Sequence, residues 1–296
     1  MAAGRTSAPN VRGSPWLPEL PEVETSARGL RARVIGLRLV RVGGVDWPRM
    51  LPNSTESELQ AVLPGLAVKT VDRRGKYLLI QFDEDQWLVI HRKMSGNVFL
   101  RPANALPEAH THLEIEFDDG TLLRFVDPRK FGRVYLFHSA EELADFLAER
   151  LGPDSLLDLD EAVLAAKLRG RKGRIKSLLL DQAFVAGIGN LYADEALWEA
   201  RLHPLRSADS LSRPEMRRLA MAIKQVLLRG IERNGTSFSA TYRDVDDRPG
   251  ENQSFLNAYG REAEPCPRCG RAIRRILIGA RSSHFCPRCQ KLRLVH

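Results

Sequence analysis

Cysteine placement constrains the fold of this chain more than any other feature. All four cysteines lie near the C-terminus, as Cys266-Pro-Arg-Cys269 and Cys286-Pro-Arg-Cys289, with 16 residues between the pairs. Each pair presents two thiolates from one tight turn, and two such turns together complete a closed tetrahedral shell, the spacing of a four-cysteine zinc ribbon. Two disulfides are the competing arrangement, but a two-residue disulfide loop is strained and nothing else in the chain points to secretion. A segment of about 35 residues cannot supply a sufficient core, so one structural Zn2+ is expected to hold it.

The same segment carries most of the charge. The chain has 45 Lys and Arg against 37 Asp and Glu, a net charge of +8, and from Arg261 to His296 nine basic residues face two acidic ones, 9 − 2 = +7. Such an excess suggests a polyanionic partner. No apolar run of about 18 residues occurs, and residues 1–16 have no continuous apolar segment, so a membrane-spanning or secreted chain is not expected and a cytoplasmic one is.

At 296 residues, 43% hydrophobic and 28% charged, the composition is globular and the length favours two or more domains. Residues 1–16 are small, polar and Pro-rich and read as a disordered extension. From Pro21, the spacing of Val23, Ala27, Leu30 and Val34 predicts a helix, with proline and acidic residues suited to its first turn. Short branched and aromatic runs follow at 37–42, 77–82, 87–91, 113–117, 122–125 and 134–137, with a hairpin turn at Asp118-Asp-Gly120. They predict an antiparallel β domain, a two-sheet sandwich.

After the last β run the periodicity becomes helical, and the helical domain joins the β domain near Gly152-Pro153. Ser139 and Ser212 open helices as capping boxes, and 160–168 and 175–202 also have helical period. Within the latter, Gly187-Ile-Gly-Asn190 predicts a tight turn, with Asn190 as N-cap of a helix whose first N–H groups suit a phosphate. Alone, this turn reads first as an ordinary helix connector. Residues 236–259 read as a mobile loop.

Pro18-Glu-Leu-Pro-Glu-Val-Glu-Thr25, Arg74-Gly-Lys-Tyr77, Met94-Ser-Gly96, Asp127-Pro-Arg-Lys-Phe-Gly132, the stretch from Gly187 to Glu195 and the cysteine pairs occur in that order from Pro18 to about Gln290. Together they resemble the bacterial formamidopyrimidine-DNA glycosylase family. The resemblance implies an α+β chain: a β-sandwich catalytic domain over 18–150, a helix-two-turn-helix DNA-binding domain over 151–260 and a zinc finger over 261–296. It implies a monomer that holds damaged double-stranded DNA in the cleft between domains, excises 8-oxoguanine and formamidopyrimidines, and cleaves the abasic site by β,δ-elimination.

Residue roles follow from the same resemblance. Pro18 matches the nucleophile whose free secondary amine attacks the sugar C1′, and Glu19 the carboxylate that handles protons. Lys76 matches the lysine at the phosphate beside the lesion. Met94, Arg129 and Phe131 match the side chains that fill the helix when the nucleotide is turned out. His110, Arg171, Lys176 and Asn190 match phosphate or lesion contacts, and Arg281 the zinc-finger arginine that grips phosphates.

The sequence departs from the family pattern in three places. A proline inside a chain has an amide nitrogen, so the 17 residues before Pro18 must be absent for the chemistry. Leu17 is consistent with a start codon, since TTG and CTG also initiate bacterial translation. Arg92-Lys93 stands before Met94 where the family more often has an apolar residue and glycine. The loop 238–255 matches poorly. Two other readings remain: the sister enzyme for oxidised pyrimidines, endonuclease VIII, and a non-catalytic zinc-ribbon DNA-binding protein.

Overall fold

The first helix, α1, spans Leu20–Val34. Pro21 lies in its first turn, and Glu19 and Glu22 form a reciprocal capping box in which Glu19 N donates to Glu22 Oε2 at 2.8 Å. Val23, Ala27, Leu30 and Val34 are all buried on its inner face, as their spacing predicts. The structure, a computed structural model, describes residues 17–238 and 242–292. The expected extension at 1–16 and residues 293–296 of the expected zinc finger lie outside the described residues.

Eight strands form two antiparallel four-stranded sheets. They are β1 (Leu39–Gly43), β2 (Val68–Arg74), β3 (Tyr77–Phe82), β4 (Trp87–His91), β5 (Asn97–Pro102), β6 (Thr111–Phe117), β7 (Thr121–Val126) and β8 (Arg133–Phe137). One sheet has the order β1-β6-β7-β5 and the other β2-β3-β4-β8. Leu78, Ile80, Leu88 and Ile90 of one sheet share a core with Val98, Leu113, Ile115 and Leu123 of the other, which makes the unit a sandwich. The β6–β7 hairpin turns where Asp118-Asp-Gly120 predicts, with Gly120 at φ +81°. Two short helices, α2 (Glu56–Val62) and α3 (Ala140–Ala148), complete this unit.

The chain divides at Glu149, but not cleanly. Asn234–Gly250 groups with the sandwich rather than with the helical segment to which 151–260 was assigned by sequence. The cause is burial: Val245 joins the sandwich core, and Leu100 N donates to Val245 O at 2.8 Å. This part of the expected mobile loop is therefore packed structure, and residues 239–241 lie outside the described residues.

The second unit holds Arg150–Arg233 and the described residues from Glu251 onward. Its helices are α4 (Glu161–Leu168), α5 (Ile175–Leu180), α6 (Asn190–Glu199) and α7 (Arg213–Glu232). Asp160 caps α4 through Val163 N at 2.8 Å, and Ser212 with Glu215 forms the expected capping box of α7. The continuous helical period at 175–202 breaks at 181–189, where Gly187 takes φ +103°. Gly189, not Asn190, is the N-cap of α6, because its φ of −129° is extended while Asn190 is already helical. Gly230 lets α6 and α7 approach, since a Cβ there would lie 2.4 Å from the Tyr192 hydroxyl oxygen.

The cysteine segment is part of this unit. Its hairpin, β9 (Arg274–Ile278) and β10 (Arg281–Phe285), carries Arg281. Gln290 ties it down by accepting from Cys286 N and donating to Leu202 O, both at 2.8 Å.

Candidate active site and metal centre

In the sandwich unit, Pro18 and Glu19 lie at the start of α1. Pro18 is buried and Glu19 is only 3% exposed. Glu22, one turn on, accepts from Glu19 N with one carboxylate oxygen and from Thr236 N with the other, each at 2.8 Å. Gly235 permits the second contact: it has φ +79°, and a Cβ there would lie 2.9 Å from Glu22 Cγ.

Lys76 sits in the two-residue turn Gly75-Lys76, because Arg74 pairs with Tyr77 across β2 and β3. Gly75 takes φ +56°, as a tight hairpin requires at its first loop position. Arg73, 5% exposed, fixes the turn by donating to Gly75 O at 3.2 Å while its Nε meets Glu24 of α1 at 3.2 Å. The Lys76 turn and α1 are thus tied by one part-buried ion pair.

The same end of the sheet is positive. His91 stands opposite Tyr77 and Arg133 in register, and Lys93 follows it. His91 Nδ1 accepts from Lys93 N at 3.0 Å, the pattern of a neutral imidazole. Burial, reinforced by the Lys93, Lys76 and Arg133 charges, holds His91 well below its ordinary value. Sequence reasoning missed His91, Lys93 and Arg133 as a group, because only sheet register brings them together.

Met94, Arg129 and Phe131 are linked through Asp127, which is fully buried. Its carboxylate accepts from the amides of Arg129 (3.2 Å), Phe131 (2.8 Å) and Gly132 (2.7 Å), and from the Ser95 hydroxyl. Phe131 is left 41% exposed, and the Arg129 guanidinium lies 4.8 Å from its ring centroid. Two glycines make room: a Cβ on Gly96 or Gly132 would come within 2.7 or 2.3 Å of the Phe125 ring. His110, exposed, accepts from Asp127 N through its carbonyl at 3.0 Å. His112 meets Asp127 O at 3.1 Å and Asp46 at 2.6 Å, so a histidine absent from the sequence assignment buttresses the loop.

In the helical unit, Lys176 does not reach the surface. It is 0% exposed, and its ammonium contacts Ser282 O (2.7 Å), Ser283 Oγ (2.8 Å) and Asp194 Oδ1 (2.6 Å). Asp194 Oδ2 also accepts from His284 N at 2.8 Å. Lys176 therefore clamps β10 to α5 and α6. Asn190 lies beside Ser282, with Nδ2 at 3.5 Å from its hydroxyl, so it neighbours the exposed Arg281. Arg171 is exposed after α4. Glu195 is buried among the amides of Asn257, Ala258 and Tyr259; burial raises its carboxyl, against the pull of those amides.

The four cysteines are free thiols, and their sulfurs lie within 4.8 Å of one another. A zinc–sulfur distance of about 2.3 Å puts tetrahedral sulfurs about 3.8 Å apart, so the donor set fits one structural zinc. Burial pushes the Cys266 thiol up, but the nearby Trp198 indole and the Arg268 and Cys269 amides outweigh it and bring it to about 7. Among the described residues, Trp198, Ala258 and Ile273 form the apolar cluster around the sulfurs, too little to hold the segment without the metal.

A β-sandwich, a helical unit with a turn and helix at Gly189, and a four-cysteine site that fits zinc are the parts of the DNA glycosylase class whose domain models this chain matches. Residues 17–134 match the formamidopyrimidine-DNA glycosylase N-terminal domain, 151–241 the corresponding H2TH domain, and 263–292 the zinc finger found in FPG and IleRS. The chain is 44% identical over 277 residues to a formamidopyrimidine-DNA glycosylase of Herpetosiphon aurantiacus, covering 93% of this chain and all of the relative. Two solved Lactococcus lactis Fpg structures, one with N7-benzyl-Fapy-dG DNA and one with abasic-site DNA, each superpose with a TM-score of 0.85 at 36% identity, covering 93% of this chain and 100% of theirs. The chain belongs to the formamidopyrimidine-DNA glycosylase family.

Proposed function

We propose that this chain, with Pro18 as its free N-terminus, is a bifunctional DNA glycosylase and abasic-site lyase for oxidised purines. The observation that carries this reading is that Pro18 and Glu19 are buried at the start of α1, while Arg73 ties the Lys76 turn to the same helix through Glu24. The Lactococcus lactis Fpg, captured with N7-benzyl-Fapy-dG and with abasic-site DNA, supports it.

The unprotonated Pro18 nitrogen attacks C1′ as the bond from C1′ to the base breaks, and the base leaves with a proton. A secondary amine then forms an iminium with the ring-opened sugar, whose O4′ takes a proton from Glu19. Loss of a C2′ proton expels the 3′ phosphate, a second elimination expels the 5′ phosphate, and water returns the amine. Lys76 contacts the phosphate beside the lesion. Met94, Arg129 and Phe131 occupy the vacated stack, where an apolar wedge and a planar guanidinium replace lost stacking and meet the orphaned base.

Asn190, Arg281, Arg171 and His110 act on the DNA backbone. Lys176 acts through β10, holding Arg281 in place. The zinc, held by Cys266, Cys269, Cys286 and Cys289, supplies structure only. Reduced thiolates suit a cytoplasmic protein, and one chain suffices for the reaction. Among the described residues no helix is long and apolar enough to cross a membrane.

The test compares the chain beginning at Pro18 on duplexes containing 8-oxoguanine or thymine glycol, with free base and strand ends quantified. Faster release from the 8-oxoguanine duplex supports the reading. Preference for thymine glycol would transfer the chain to the pyrimidine branch, and no release from either would leave a DNA-binding protein.

A further inference from the structure

Arg92 is the most unusual buried charge in the sandwich unit. It is 1% exposed, and it precedes the turn that displays Met94. A guanidinium offers five N–H groups, and here they meet five oxygen acceptors, none of them a carboxylate. Nε donates to Gly96 O at 2.7 Å. One Nη reaches Ser26 Oγ at 2.8 Å and Glu22 O at 3.5 Å. The other reaches the Asn97 side-chain oxygen and Arg243 O, the latter at 3.3 Å. The Tyr242 ring centroid lies 4.9 Å from the guanidinium carbon.

These acceptors lie on three stretches of chain. Gly96 and Asn97 belong to the Met94 turn, which the main chain also closes through Gly96 N to Arg92 O at 3.1 Å. Glu22 and Ser26 belong to α1, and Glu22 also holds Glu19 N. Arg243 belongs to the returning segment that brings Thr236 to Glu22. An apolar side chain would fill this space without the desolvation cost of a buried cation. What the guanidinium adds is direction: five bonds fix the turn, the helix start and the returning segment in one mutual geometry.

We propose that Arg92 is a positioning residue that holds the Met94 turn against the start of α1, so that the wedge and the Pro18 nitrogen address the same nucleotide. The inference rests on the base-excision reading. Arg92 touches no reacting atom; it acts through Met94 and, by way of Glu22, through the helix that Glu19 caps.

The test uses Arg92→Leu and Ser26→Ala, each in the full chain beginning at Pro18. Arg92→Leu removes all five donors, whereas Ser26→Ala removes one link to α1 and keeps the guanidinium, so it carries the test if the first variant fails to fold. Single-turnover release of 8-oxoguanine is measured beside cleavage of a preformed abasic site, which has no base to evict. A 2-aminopurine flanking the lesion reports unstacking. Base release should fall about tenfold to a hundredfold in Arg92→Leu, and less in Ser26→Ala, with unstacking slowed in step. Abasic-site cleavage should fall less than about threefold. Unchanged base release in folded variants, or equal loss in both reactions, would overturn the assignment. An unaltered chain that neither releases base nor cleaves the abasic site would instead fail the base-excision reading, leaving the two failures distinguishable.

Discussion

Lys176 offers a sharp contrast between a charge that meets DNA and one that builds the surface that does. Replacing it with Met keeps most of its length but leaves Asp194, itself buried, without the cation 2.6 Å from its Oδ1. Removing one partner of a buried pair costs about 3–5 kcal/mol, and at about 3 °C per kcal/mol for a chain of this size that is about 9–15 °C in Tm. Adding Asp194→Asn should recover part of the loss, since the uncompensated charge is then gone. A surface phosphate contact behaves differently, changing stability by no more than about 0.5 kcal/mol while lowering the salt slope of DNA binding by about one contact. The assay pairs thermal unfolding by circular dichroism with duplex affinity at four salt concentrations. A Tm unchanged within about 2 °C, with a shallower salt slope, would refute the interior role and restore Lys176 to the DNA surface.

The zinc prediction is direct: one zinc per chain, with chelation or Cys266→Ser unfolding the hairpin and abolishing duplex binding; full affinity after metal removal would contradict it. Gly132→Ala should destabilise the sandwich by about 2 kcal/mol or more and slow base release, because its Cβ would meet the Phe125 ring at 2.3 Å; a variant as stable and active as the parent would show that the loop moves freely. His91 is held below its ordinary value in the folded chain, so the unfolded chain binds a proton below about pH 6.5 that the folded chain refuses. Stability from this group is therefore complete above that pH and declines as pH falls, by at most about 1.4 kcal/mol per unit; His91→Asn should flatten this part of the urea-unfolding profile, and identical slopes would count against a neutral His91. Arg281→Ala should weaken duplex binding and lower the salt slope by about one contact, and an unchanged slope would remove Arg281 from the phosphates.

Local pattern made much of this fold readable. The runs at 77–82 and 87–91 are β3 and β4 to the residue, because a short, mainly apolar run bounded by turn residues is too short for a helix and suits a buried strand. β2 escaped notice: Val68-Lys-Thr-Val-Asp-Arg-Arg74 carries two apolar residues and a register shift between Val68 and Thr70, so its pattern resembles a polar loop. Asn234–Gly250 was illegible for another reason. Its polar composition is real, and what orders it are long-range partners, Val245 in the core and Thr236 on Glu22. In the site, motif residues were visible but their supports were not. Asp127 stood inside a motif without a role, although its carboxylate organises the loop, and Arg92 read only as a departure from the family pattern although it links three segments. Lys176 matched a contact position while its ammonium faces Ser282, Ser283 and Asp194, which no spacing reveals.

The central claim is that chemistry begins at the Pro18 nitrogen, and borohydride trapping tests it most directly. Two purified forms, one beginning at Pro18 and one retaining Leu17, are incubated with an 8-oxoguanine duplex and borohydride, and the adduct is mapped by mass spectrometry. The account predicts a covalent complex through Pro18 in the first form and none in the second, whose nitrogen is an amide. Trapping of both forms, or an adduct mapped to Lys76, would contradict it.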